Sequence, residues 1–293
     1  MAHPVIVYIP GLLPKPLPDV HKEALLRCLC AGIARIDPPV AKAIAERDEH
    51  FRLVSWTYDF YGEHRDFALD RASVDAVIEQ EKAGERDIAE ACAWTRRLTR
   101  WIYHLGDRMP FLIPHLASER MEVHLRDLMR YERNKGGIAD SIRRLLRDAL
   151  EDAASGDNPL LLIGHSMGSV IAYDALWELT HEYGDAVEVD MLLTMGSPLG
   201  QRFMQKRIKG HNRSGASRFP HCVKRWRNLA AVGDLTAIDP ALVNDFREML
   251  KLELVDEIVD TTFFSYFRLS GELNVHSEYG YLVNEAAACT VHE

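Results

Sequence analysis

A serine hydroxyl becomes an effective nucleophile when a turn exposes it, a base takes its proton, and donors meet the charge that develops on the attacked carbonyl. The stretch Leu160-Leu161-Leu162-Ile163-Gly164-His165-Ser166-Met167-Gly168-Ser169 supplies the first of these conditions. An apolar run of strand type leads directly into Gly-x-Ser-x-Gly, and Val170, Ala172, Tyr173, Ala175, Leu176 and Leu179 then mark a helix. In that context Ser166 is expected on a sharp, strained strand-to-helix turn, with a glycine two residues to either side so that neighbouring backbones can approach closely. Such a turn holds the hydroxyl clear of the sheet and aims the Met167 amide, with the helix N-terminus, at an oxyanion. The chemistry indicated is acyl transfer through a serine ester; the competing reading is a turn whose glycines serve packing only. His165 adjoins the serine but points elsewhere on a sharp turn, so it is expected to pack or to line a substrate pocket rather than to act as base.

A turn of this kind needs a sheet beneath it. Strand-length apolar runs at Val5 to Ile9, Arg52 to Tyr58, Leu160 to Ile163, Val187 to Thr194 and Arg225 to Val232 alternate with longer helical patterns. That alternation predicts an α/β fold, a mostly parallel sheet flanked by helices, in a single domain over 1–293. A further strand is placed within Glu257 to Arg268, where the pattern is ambiguous. Residues 63–157 contain no convincing strand, and their apolar side chains fall at helical spacing: Leu98, Trp101, Ile102 and Leu105; Val123, Leu125, Leu128 and Met129; Ile142, Leu145, Leu146 and Ala149. Breaks are expected at Gly106 to Pro110 with Pro114, and at Asn134 to Gly137. One helix suffices to connect two strands, so the surplus is either a helical cap before the nucleophile strand or added packing on the flank.

The strand, elbow and helix together resemble the α/β-hydrolase superfamily and, within it, bacterial lipase-like serine esterases. The resemblance implies a second oxyanion donor from the loop after an early strand, often beginning His-Gly. Here that place reads Ile9-Pro10-Gly11-Leu12-Leu13. Proline stands where histidine is common and has no amide, but Gly11 and the Leu12 amide can fill the role, and Leu13 can line the pocket. The superfamily order also puts acid and then histidine after the serine. Asp234, at the end of the strand-like Trp226 to Gly233, is the acid chosen. Asp239, before Pro240, is its rival and suits a turn or helix cap; Asp174 lies in the nucleophile helix and Asp190 at the wrong end of a strand. His276, in Asn274-Val275-His276-Ser277-Glu278-Tyr279, resembles the His-Ser-x-Tyr context of lipase-like members and is the base chosen among 13 histidines. Penultimate His292 is expected to fray. Gly196-Ser197-Pro198-Leu199-Gly200 resembles a structural turn at the rim of such sites, with Ser197 not a second nucleophile.

The resemblance implies a Ser166-His276-Asp234 triad cleaving carboxylic esters through an acyl-enzyme, a mechanism that requires no metal or organic cofactor. A cap rich in Leu, Ile, Trp and Phe suits an apolar acyl chain, so the expected partner is a small or lipid-like acyl ester. A thioesterase, phospholipase or acyltransferase would use the same triad, and a non-catalytic hydrolase-like binding protein is the alternative of a different class. From Gln201 to Arg227 every charged residue is basic. This stretch could attract an anionic substrate such as a phospholipid, an acyl-CoA or a free carboxylate, or it could be a solvated loop balancing the acidic C-terminal third.

The 293 residues, 47% of them hydrophobic, are enough for a full core. A formal charge of −9 gives no footprint for nucleic acid. Five cysteines, with only Cys28 and Cys30 close together and both in a helical pattern, argue for buried free thiols rather than disulfides or a zinc site. The N-terminus lacks the features of a secretory signal and no apolar run is long enough for a membrane span, so a soluble, cytoplasmic chain is expected.

Overall fold

The computed structural model describes residues 4–93, 119–156, 158–184 and 187–292, with side chains of the first helical residues after 118 left aside. Six strands form one sheet: β1 (Val5–Ile9), β2 (Phe51–Leu53), β3 (Leu160–His165), β4 (Val189–Met195), β5 (Val223–Ala231) and β6 (Glu257–Phe263). Their order is β2-β1-β3-β4-β5-β6, and every pairing is parallel. A separate antiparallel hairpin joins β7 (Arg268–Leu269) to β8 (Glu272–Leu273). The helices are α1 (Pro18–Ala34), α2 (Pro38–Ala45), α3 (Thr57–Tyr61), α4 (Ala68–Glu79), α5 (Glu85–Ala91), α6 (Glu119–Glu132), α7 (Ile138–Ala154), α8 (Met167–Glu178), the short α9 (Arg202–Gln205), α10 (Leu242–Asp245) and α11 (Arg247–Lys251), then α12 (Glu278–Leu282) and α13 (Glu285–His292).

The unbroken apolar character of β1 and β3 follows from burial on both faces. Val5, Val7, Ile9, Leu160 and Leu162 join one core with α7 and α8, whereas Ile6, Tyr8, Leu161 and Ile163 join a second core with α1, α12 and α13. Successive side chains of a strand point to opposite faces, so each strand feeds both layers. The pairings Ile9 with Gly164, His165 with Met195 and Ala231 with Phe263 bring the carboxyl ends of these strands to one edge of the sheet. Loops leaving that edge are therefore the ones that can share a site.

The largest departures from the expected strand limits are at two places. The run from Arg52 to Tyr58 is strand only to Leu53; Trp56 leaves the sheet to donate from Nε1 to the Pro10 carbonyl at 2.9 Å, and α3 begins at Thr57. The ambiguous tract after Glu257 is strand to Phe263. Within 63–157 the described residues are helical without a strand, and the break at Asn134 to Gly137 is present, with Asn134, Gly136 and Gly137 at positive φ. α7 is the connector into β3 and packs on α8 and β1, burying Ile142 and Leu146 while Leu145 faces outward. α4 packs on α1 across the other face, so this part of the tract is flank rather than cap. Leu98, Trp101, Ile102 and Leu105, the break at 106–110 with Pro114, and the side chains of Val123 and Leu125 lie outside the described residues.

All five cysteines are free thiols, but only Cys28 and Cys222 are buried; Cys289 is exposed. Among the described residues no helix is long and apolar enough to cross a membrane.

Candidate functional site

Ser166 follows β3 with φ 53° and ψ −124°, a conformation an L side chain rarely adopts. Its amide donates to the Met195 carbonyl at 2.8 Å, and its own carbonyl accepts from the Ser169 amide at 3.0 Å. The flanking glycines permit this geometry. A Cβ on Gly168 would sit 2.2 Å from the Ile9 carbonyl oxygen, and one on Gly164 would sit 2.8 Å from the Ser169 Cα. Both distances are below any real Cβ contact, so the start of α8 lies hard against the ends of β1 and β3. The positive φ carries a testable consequence. Glycine adopts it freely, and sparsely populated conformations cost about 1–3 kcal/mol. Ser166→Gly is therefore expected to unfold in urea at a higher midpoint than Ser166→Ala, a difference of about 1 kcal/mol.

His276 lies in the loop between β8 and α12, where its amide donates to Asn274 Oδ1 at 3.1 Å. Its Nε2 is 2.9 Å from Ser166 Oγ and its Nδ1 is 2.8 Å from Asp234 Oδ2. An ionised carboxylate can only accept, so Nδ1 carries the proton and Nε2 is left to accept from the serine hydroxyl. The His276 side chain remains 30% exposed, which leaves its ring accessible, while that of Asp234 is fully buried.

Asp234 lies just beyond β5. Besides His276, it accepts from Tyr281 Oη at 2.8 Å and from the Thr236 amide at 2.8 Å. Burial by itself raises the carboxyl, but the charge and hydrogen bond of His276, with the bonds from Tyr281 and Thr236, outweigh it and hold Asp234 below the ordinary carboxylate range. Tyr281 is fully buried and also accepts from the Ala231 amide at 2.8 Å, tying the acid to its own strand. Nothing in the sequence pattern distinguished this tyrosine. Tyr281→Phe leaves that amide without its acceptor and removes a donor from Asp234. The expected cost is about 1–3 kcal/mol in denaturant unfolding, and the acidic limb of any activity profile should move to higher pH.

The loop after β1 stands against the serine. A Cβ on Gly11 would lie 2.7 Å from Ser166 Cβ and 3.2 Å from its Oγ. Trp56 holds the Pro10 carbonyl, and the Leu13 amide donates to Tyr61 Oη at 3.1 Å, whose hydroxyl in turn donates to Asp127 Oδ2 at 3.0 Å. Leu13 has φ 75° and is 46% exposed, and Leu12 is partly buried. Among the described residues neither the Leu12 amide nor the Met167 amide has an acceptor. Both belong to backbone beside Ser166, and Met167 is the first residue of α8, where amides have no intrahelical acceptor.

Compared with protein-family models, curated proteins and solved structures, the chain finds no match.

The rival acids, His292 and Ser197 make other contacts. Asp239 accepts from the Ala241 amide, a turn-capping contact. Asp174 accepts from Tyr131 Oη and the Lys209 amide, and Asp190 pairs with Lys224. His292 is in α13 and pairs with Asp37 at 3.0 Å, so it is held rather than frayed. Ser197 accepts from the Leu199 amide and shares a hydrogen bond with Ser169, as a turn residue does. Gly196 lies closer to the site than a rim position implies: its φ is 57°, and a Cβ there would meet Asp234 Oδ2 at 3.0 Å and His276 Nδ1 at 3.1 Å. His165 is only 3% exposed and packs behind His276, ring centroids 4.8 Å apart, and among the described residues neither ring nitrogen has a hydrogen-bond partner. Burial first, then the proximity of His276, pushes it down to about 3, so it stays neutral beside His276.

Five of the nine basic residues of this segment pair with acids. Arg207 pairs with Glu132, Lys209 with Glu178 and Glu182, Arg218 with Glu248, Lys224 with Glu188 and Asp190, and Arg227 with Glu257. Several of these partners come from the middle of the chain rather than its C-terminal third.

Proposed function

We propose that this chain is a serine hydrolase of α/β-hydrolase type that cleaves carboxylic esters through an acyl-enzyme. The observation that carries the reading is the unbroken relay from Ser166 Oγ through His276 to Asp234, with links of 2.9 and 2.8 Å, at the carboxyl edge of a parallel sheet. In the first half-reaction His276 Nε2 takes the Ser166 proton as Oγ attacks the ester carbonyl. The tetrahedral oxyanion accepts from the Met167 and Leu12 amides. Collapse breaks the bond to the alkoxy group, which leaves as alcohol with the proton from His276. In the second half, His276 takes a proton from water as that water attacks the acyl-enzyme; the acid departs and Ser166 regains its proton. Asp234 accepts from Nδ1 throughout, fixing the tautomer and stabilising the imidazolium.

Ester substrates are favoured by the apolar Leu12 and Leu13 in the loop against Ser166, and the ion pairs of the basic segment weaken the case for recognition of an anionic headgroup. The test is turnover of p-nitrophenyl esters of graded chain length beside acyl-CoAs and phospholipids. Ester turnover with saturable kinetics supports the reading. Rapid acyl-CoA cleavage without ester turnover would assign the same relay to a thioesterase, and no turnover of any acyl substrate would leave the hydrolase reading without support.

A further inference from the structure

Glu278, the first residue of α12, is two positions after His276 and only 5% exposed. Three donors converge on its carboxylate: Tyr8 Oη reaches Oε2 at 3.1 Å, while Lys15 Nζ and His21 Nε2 reach Oε1, each at 2.9 Å. Tyr8 precedes the loop of residues 10–13, and Lys15 and His21 follow it. Both feet of the loop that carries the Leu12 amide thus stand on one side chain, and that side chain belongs to the segment that carries the base. His165 Nδ1, from the nucleophile strand, is 4.0 Å from Glu278 Oε2.

Only an acceptor of several hydrogen bonds fits here, because the groups facing it are an ammonium, a phenol and an imidazole nitrogen. Burial by itself raises the Glu278 carboxyl, but Lys15 and then His21 hold it well below the ordinary range. The other ties on the loop, from Trp56, Tyr61 and the bond of the Arg65 amide to the Lys15 carbonyl, fix it to the α3 region rather than to the base. Glu278 is the tie that links it to the His276 segment.

We propose that Glu278 is a positioning residue that sets the Leu12 amide relative to His276 by holding Tyr8, Lys15 and His21 on one carboxylate. This rests on the serine-hydrolase reading above. A purely structural ion pair would predict something different: a buried pair can be replaced as a pair with little loss. In Lys15→Met/Glu278→Gln the charges disappear together, and the glutamine can still accept from Tyr8, but the Lys15 tie is gone.

The experiment compares wild type, Lys15→Met, Lys15→Arg and the double variant, with ester kinetics, inhibition by an aryl trifluoromethyl ketone and thermal melting. The ketone adds Ser166 Oγ to form a hemiketal oxyanion, so its affinity reads the oxyanion donors, whereas KM reads ground-state binding. The double variant should melt near wild type, with kcat and ketone affinity each reduced roughly 10- to 100-fold, the size expected for a small misplacement of a catalytic group. KM should change little, and Lys15→Arg should retain most of the wild-type kcat. If the double variant proves unstable, Lys15→Met alone should show the same parallel loss in kcat and ketone affinity. Wild-type kcat and ketone affinity in a folded Lys15→Met or double variant would overturn the inference while leaving the hydrolase reading intact. An inactive wild type would overturn both.

Discussion

Ser166→Ala is expected to lower kcat/KM for an activated ester by roughly 10⁴- to 10⁶-fold while leaving the fold unchanged. The hydroxyl makes one contact in the relay, to His276 Nε2, so its removal takes away the nucleophile and little packing. Neither Ser169 nor Ser197 can replace it, and the other hydroxyl facing His276 Nε2, Thr236 Oγ1, stands off at 3.4 Å against 2.9 Å for Ser166. Ser169 Oγ donates to the Ser166 carbonyl at 2.6 Å and shares a 2.7 Å bond with Ser197 Oγ, so both are held within the turn network. The measurement is steady-state turnover of p-nitrophenyl esters by protein freed of wild-type contamination, with circular dichroism as the folding control. Activity within tenfold of wild type in a folded variant would contradict the assignment.

The second large effect is expected at the acid. Asn at 234 keeps the shape of the side chain but replaces an acceptor oxygen with an NH₂ group. If that group faces His276, it donates to Nδ1, and the proton moves to Nε2, where it faces Ser166 and blocks proton abstraction. Loss of the correct tautomer costs about 10⁴-fold in kcat for this arrangement elsewhere. The same substitution should change stability against pH. Because Asp234 is held below its ordinary value in the folded state, its ionisation stabilises the fold fully above the unfolded value of about 3.9. That contribution is lost as pH falls through the lower, folded value. Urea unfolding between about pH 2 and 6 should therefore fall less steeply toward acid in Asp234→Asn than in wild type. Equal slopes would show that Asp234 is not held ionised by its three donors.

How much of this was legible depended on whether the determining contacts were local. β3 and its turn could be read because the apolar run, Gly164, Ser166 and Gly168 are contiguous, and each glycine answers a clash within a few residues or with the adjacent β1. Asp234 and His276 came from a resemblance in order and context, and the structure brings both to Ser166. β2 is shorter than its sequence predicts because Val54 to Tyr58 has strand-like composition, yet the deciding contact for Trp56 is the Pro10 carbonyl across the sheet edge. The contacts of Tyr281 and Glu278 are not legible in the sequence for the same reason. Tyr281 looks like an ordinary aromatic in a helix until β5 is placed beside it, and the donors to Glu278 lie more than 250 residues away in sequence. The basic segment is visible as composition, but the acidic partners of five of its residues are scattered from Glu132 to Glu257, so their pairing is seen only in the folded chain.

The most direct test of the central claim, that Ser166 is activated by His276, is labelling with a fluorophosphonate probe followed by mapping of the modified peptide. Wild type should label on Ser166, folded Ser166→Ala should not label, and folded His276→Ala should label far more slowly. A folded wild type that stays unlabelled, or that carries the probe on another residue, would contradict the claim.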